Sequence, residues 1–247
     1  MGGSFLVGLS RAGNHTVTAC DVDPGALEAV SEYCSRTTTD LSVAADADVI
    51  VVAVKPDIVR DVLAGLDLSA DQTLVSVAAG VPTTLLEELT DATVVRIMPN
   101  LAARTGNMAA AVTGSEIDDD VRALLDDVGL YVEVEEDRMD IATAVNGSGP
   151  AFVFYLLNAM KRAGIEGGLT PEEAQTLAAQ TFKGAAETVL RSDRTVDELI
   201  DAVCSPNGTT IEGMAVLRNS DVEDVLVEAV RAAEERSREL SQEVEHE

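Results

Sequence analysis

The chain changes rhythm once, near Asp137, and that change constrains its fold more than any other feature. Before it, apolar runs of strand length alternate with short helical stretches. HTVTAC, DADVIVVAV, QTLVSVAAG, ATVVRIMPN, NMAAAVTG and LYVEVEE read as strands. PGALEAVSEYC, KPDIVRDVLAGL, PTTLLEEL and DDDVRALLDDVG read as helices between them. Continuous β-branched runs such as VIVVAV suit strands covered on both faces, so this half predicts a parallel, doubly wound α/β sheet. After Asp137 the strand-like runs stop. MDIATAVNGSG, PAFVFYLLNAMKRAG, TPEEAQTLAAQTFKGAAETVLRS, TVDELIDAVC, TTIEGMAVLRN and DVEDVLVEAVRAAEERSREL all carry helical spacing. Residues 1–137 therefore read as a nucleotide-binding-type domain of Rossmann kind, and 138–247 as an all-helical domain.

The opening, MGGSFLVGLSRAGNHTVTACDVDP, is a helix, a turn, a strand and an acid, which is the second half of a βαβ unit. The expectation is a chain lacking the first strand and part of the glycine turn, with a divided sheet and an impaired cofactor site. In a dinucleotide fold, a carboxylate ending the second strand bonds the adenosine ribose about 20 residues past the glycine turn. Asp21 lies 19 positions after Gly2, and Asp23 follows it. The plainer reading of DVDPG is a polar turn.

Charge excludes several functions. The net charge is −27, from 44 acidic and 17 basic residues, and only Lys55, Lys161 and Lys183 are lysines. The acids are spread between apolar residues as a solvated shell. That argues against nucleic acid or an anionic membrane as partner and suits a halophile-like, high-salt cytoplasm. Cys20, Cys34 and Cys204 are odd in number and form no CxxC pair, consistent with a reducing cytoplasm. The two histidines, His15 and His246, supply neither a catalytic triad nor a metal site, so no metal is expected. No apolar run approaches the roughly 18 residues of a membrane span.

Three strand ends fall where open α/β sheets bind ligands: Lys55-Pro56, Ala78-Ala79-Gly80 and Met98-Pro99-Asn100. Each alone is ordinary turn chemistry. Gly147-Ser148-Gly149-Pro150 must interrupt or kink a helix, either as a plain turn or as a helix start presenting amides to a ligand. In CSPNGTT, a turn carrying Ser205, Gly208, Thr209 and Thr210 opens a new helix. Free amides and hydroxyls there suit a carboxylate, against the plainer alternative of a capped helix start.

VNGSGPAFVFYLLNAMKRAGIEGGLTPEEAQTLAAQTFKGAAETVLRS, VCSPNGTTIEGMAVL and AVRAAEERSREL, in this order, resemble pyrroline-5-carboxylate reductases. AVKP, SVAAG and RIMPN match that family's cofactor-side loops. The resemblance implies hydride transfer from a reduced nicotinamide to the C=N carbon of a cyclic imine, giving L-proline. It implies that Ser205, Gly208, Thr209 and Thr210 hold the substrate carboxylate, with the Thr210 hydroxyl near the ring nitrogen and Asp193 approaching from a partner subunit. It assigns Gly2, Asp21, Lys55, Pro56, Ala78, Ala79, Gly80, Met98, Pro99 and Asn100 to NADH or NADPH. Helical domains of two subunits interlace in this family, so the resemblance also implies a homodimer and a larger ring, commonly a decamer.

The sequence departs from that family at three places. Leu101-Ala102 stands where Thr-Pro is common, Asn207 replaces a glycine, and Asp21 stands where relatives receive a 2'-phosphate, which favours NADH. Asn207 tolerates positive φ better than other non-glycine residues. Two rivals are an inactive assembly subunit unable to hold nucleotide and a two-domain dehydrogenase of the 3-hydroxyacid type. The second needs a catalytic lysine, and the helical half offers only Lys161 and Lys183.

Overall fold

The computed structural model describes residues 1–245. His246 lies outside the described residues. The chain divides into two compact units, residues 1–149 with the chain from Val230 onward, and Pro150–Ala229.

The first unit holds the strands. β1 (Thr18–Cys20) and β2 (Arg36–Thr38) form one parallel pair. β3 (Val49–Val52), β4 (Thr73–Ser76), β5 (Thr93–Pro99), β6 (Met108–Gly114) and β7 (Gly129–Glu133) form a second sheet in that spatial order. The expected division of the sheet is present: β1 and β3 each carry an unpaired edge among the described residues.

Alternate residues of β3 to β6 supply two cores. Val75, Val77, Val95, Ile97 and Val112 face α1 (Gly2–Ala12) and α6 (Asp119–Asp126), meeting Phe5, Leu9, Val121 and Leu125. Ile50, Val52, Leu74 and Val94 face α4 (Val59–Ala64) and α5 (Thr83–Glu87), meeting Val59, Leu63, Leu85 and Leu86. Val17, beside β1, and Val49 and Val51 of β3 pack against the same cluster that holds Phe5 and Leu9, so one apolar cluster reaches both sheets. Short helices α2 (Pro24–Val30) and α3 (Leu41–Ala44) complete this part, each capped by an aspartate, Asp23 or Asp40.

One expectation is corrected, and one strand lies where none was expected. The sheet is not parallel throughout, because β5 and β6 are antiparallel. β5 ends at Pro99 and β6 begins at Met108, so residues 100–107 join them. Eight residues are too few for a parallel crossover, which needs about a dozen. Nor is any strand legible at Arg36–Thr38, where three polar residues give no hydrophobic alternation to read.

The GSGP stretch is neither a plain turn nor a clean break. α7 (Met139–Ala142) runs into one π-helical turn, Thr143–Gly147, before α8 (Gly149–Glu166) begins with Pro150 as its second residue. Proline is harmless there, since first-turn amides have no intrahelical partner.

The second unit is helical: α8, α9 (Pro171–Arg191), α10 (Val196–Val203), α11 (Thr209–Arg218) and the start of α12 (Val222–Glu245). Gly164 and Ala174 let α8 and α9 approach closely, and a Cβ on Gly164 would lie 3.1 Å from that of Ala174. Capping boxes open two helices, Thr170 with Glu173 on α9 and Thr195 with Glu198 on α10. Large apolar side chains remain uncovered here, among them Phe154 (64% exposed), Tyr155 (78%), Leu190 (65%) and Val216 (71%).

Candidate functional site

The residues expected on the cofactor side collect at the C-terminal edge of the first unit's strands. α1 starts at this edge: a Cβ on Gly2 would lie 2.9 Å from that of Ala53, one residue past β3. The first amides of a helix lack intrahelical partners and carry its positive end, which suits phosphate. Lys55 and Pro56 follow Ala53, with Lys55 exposed. Ala78, Ala79 and Gly80 follow β4. Gly80 has φ 74°, and a Cβ there would lie 3.1 Å from the Ser241 nitrogen of α12, so both backbone and packing require glycine. The same part of α12 is fixed by Ser237, whose hydroxyl donates to Asp140 Oδ1 at 2.6 Å.

Met98 and Pro99 end β5. Asn100 turns the chain, its Oδ1 accepting from the amides of Ala102 at 3.1 Å and Ala109 at 3.4 Å. All three are buried. Asn146, in the π-turn, holds the same loop from the other side. Its Nδ2 donates to the carbonyls of Met98 at 2.6 Å and Ala109 at 3.1 Å, which fixes the amide's orientation. Its Oδ1 is buried without a partner among the described residues. π-turns inside helices often mark functional sites.

Asp21, at the end of β1, is exposed, and its Oδ1 accepts from the Asp23 amide at 2.9 Å. Asp40 lies close by. Burial pushes the Cys20 thiol up from its ordinary value, and the negative charges of Asp21 and Asp40 push it further. Hydrogen bonds from the Ser42 hydroxyl and amide hold the Asp40 carboxyl below its usual range. Asp21 and Asp40 bring negative charge to this corner, and Arg36 of β2 lies close enough to Asp40 to offset part of it. The amides of α1, the two small-residue loops and Asp21 fit a nicotinamide dinucleotide. Among the described residues no group of three or more His, Cys, Asp or Glu side chains is placed to hold a metal ion.

In the second unit, Ser205 to Thr210 make one compact turn. The Gly208 amide donates to the Ser205 carbonyl at 3.0 Å. Asn207 takes φ 58°, the left-handed conformation expected of a residue standing for glycine. A Cβ on Gly208 would lie 2.4 Å from Ser205 Oγ, so only glycine lets that hydroxyl sit over the helix start. Gly208 is the N-cap of α11 and offers no side-chain cap to its amides. Thr209 and Thr210 are the first two residues of the helix, with Thr210 half-buried. Asp193 is exposed in the turn between α9 and α10.

Residues 136–240 match the family described as pyrroline-5-carboxylate reductase dimerisation, and residues 1–80 match NADP oxidoreductase coenzyme F420-dependent. A pyrroline-5-carboxylate reductase of Methanosarcina acetivorans is 36% identical over 254 aligned residues, covering 97% of this chain and 94% of the relative. The chain belongs to the pyrroline-5-carboxylate reductase family. Two solved structures agree. The reductase of Coxiella burnetii superposes with TM-score 0.86 at 32% identity over 96% of this chain and 94% of that one. The reductase of Plasmodium falciparum, determined with NADP bound, gives 0.84 at 28% over 98% and 94%.

Beside these loops lie residues that motif reading passes over. Arg96 lies inside the motif RIMPN yet is buried, and its Nη1 pairs with Glu136 Oε1. Glu136 Oε2 accepts from Thr83 Oγ1 at 3.2 Å. A charge in the middle of VVRIM is the available signal, because a buried arginine needs an acid. Nothing local to Glu136 announces it as that acid.

Proposed function

We propose that the chain reduces 1-pyrroline-5-carboxylate to L-proline with NADH or NADPH. The turn Ser205–Thr210 carries this reading: an uncapped helix start with a serine hydroxyl drawn over its glycine suits one small carboxylate. A bound nicotinamide would supply the hydride. The chain's own residues then have modest work. Ser205, Thr209 and the first α11 amides neutralise the carboxylate, Thr210 offers a hydroxyl to the ring nitrogen, and Asp193 acts on a partner subunit's substrate. Positioning of two flat reactants can supply most of the rate, so the lack of a catalytic histidine or cysteine is no obstacle. Residues 1–137 serve the dinucleotide and 138–247 the substrate and the partner.

The carboxylate of Asp21 at the end of β1 supports NADH over NADPH, and the exposed helical apolar residues support a homodimer that builds a decamer. The net charge of −27 and three free cysteines support a reducing, high-salt cytoplasm, and no described helix is long and apolar enough to cross a membrane. The test is nicotinamide oxidation with pyrroline-5-carboxylate against 3-hydroxyacids, using each cofactor. Turnover of the imine alone, with the higher kcat/KM for NADH, is the expected result. A higher value with NADPH refutes the cofactor preference, and turnover of 3-hydroxyacids refutes the substrate.

One observation favours a second reading. With β1 and β3 unpaired along one edge each, the chain could assemble through its helices without turning over. NADH titration by nucleotide fluorescence separates the two.

A further inference from the structure

We infer that Glu136 is a positioning residue that joins two cofactor-side loops, an inference that rests on the cofactor reading above. The β4–β5 ladder ends at the pair Ser76 and Arg96. Beyond that pair the two chains part. One enters the loop of Ala78, Ala79 and Gly80, and the other continues to Met98, Pro99 and Asn100, paired with β6 alone. Glu136 bridges them where the ladder stops. One carboxylate oxygen takes Arg96 Nη1, two residues before Met98. The other takes the hydroxyl of Thr83, three residues after Gly80, at 3.2 Å.

Burial shows why the bridge is specific. The Arg96 side chain is 4% exposed and that of Glu136 is 33% exposed. Arg96 Nε and Nη2 are buried with no partner among the described residues, so Glu136 is the only described carboxylate on this guanidinium. The guanidinium belongs to β5, and β5 also carries the Met98 carbonyl that Asn146 holds. Glu136 is anchored by its two partners rather than by its own burial. Its loss would therefore be felt in the spacing of the loops.

Thr83→Val tests this while leaving the buried ion pair intact. The expected result is an NADH dissociation constant and KM raised about fivefold, the size of one net hydrogen bond. The KM for pyrroline-5-carboxylate should stay near wild type, the melting temperature should fall by no more than about 2–4 °C, and Thr83→Ser should restore NADH affinity. Glu136→Gln should weaken NADH further. If it does not fold, the threonine pair still decides. Unchanged NADH affinity in Thr83→Val overturns the inference, and so does an equal loss in Thr83→Ser. Wild-type protein that binds neither NADH nor NADPH overturns the cofactor reading itself, and a wild type that binds while Thr83→Val matches it overturns only the bridge.

Discussion

Thr210 occupies the second position of α11, where its backbone amide has no intrahelical acceptor. Its hydroxyl is therefore one of several donors at a helix start that already favours an anion. Removing the hydroxyl should affect the reacting nitrogen more than the carboxylate, because the amides and Ser205 remain. Thr210→Ala should lose more than about tenfold in kcat/KM relative to Thr210→Ser, with most of the loss in kcat. Equal loss in the two variants would show that the methyl group, not the hydroxyl, matters. Ser205, Asn207 and Gly208 are legible in the sequence because their chemistry is local: a turn needing positive φ and a helix start without a side-chain cap write themselves into adjacent residues. Arg96 and Glu136 are not, because the partners stand 40 positions apart and only folding brings them together.

α9 shows how much of an element the sequence can specify by itself. Thr170-Pro171-Glu172-Glu173 gives cap, first-turn proline and reciprocal acid, and the structure forms the full box. The Glu173 carboxylate accepts from the Thr170 amide at 2.8 Å, and bonds to Thr170 hold its carboxyl below the usual glutamate range. A depressed carboxyl stabilises the fold above its unfolded pKa, about 4.3, and the contribution is lost as pH falls through the lower folded value. Wild type should therefore melt above Glu173→Gln at pH 6, and the gap should narrow as pH falls below about 4, since protonated glutamate resembles glutamine. A difference that persists unchanged at pH 3 would mean the charge is not what the cap uses. The π-turn at Thr143–Gly147 is less legible. Gly147, Ser148, Gly149 and Pro150 announce an irregularity, but only the tertiary bonds of Asn146 to Met98 and Ala109 decide that it is an extra residue within the helix rather than a break.

At the scale of the whole molecule, the divided sheet and the shared core pull against each other. Val17 beside β1 and Val49 and Val51 of β3 pack against one apolar cluster that also holds Phe5 and Leu9 of α1, yet among the described residues no ladder joins β1 and β3. The core thus treats as one layer what hydrogen bonding leaves as two. A parallel strand seated between them would pair on both sides, adding roughly ten ladder bonds at about 0.5–1.5 kcal/mol net each. Even a fraction of that is large against a domain's stability of about 5–15 kcal/mol. It would also carry its own turn to the start of α1, where Gly2 already abuts Ala53 and further amides could join those of the helix around a pyrophosphate. A chain extended at its start by an apolar β-strand and a glycine-rich turn should therefore melt higher and bind NADH more tightly than the 247-residue chain. The two effects should appear together, because one strand supplies both. Extension that raises neither would show that α1 alone joins the sheets. Extension that raises melting without NADH affinity would place the pyrophosphate elsewhere than at the α1 start.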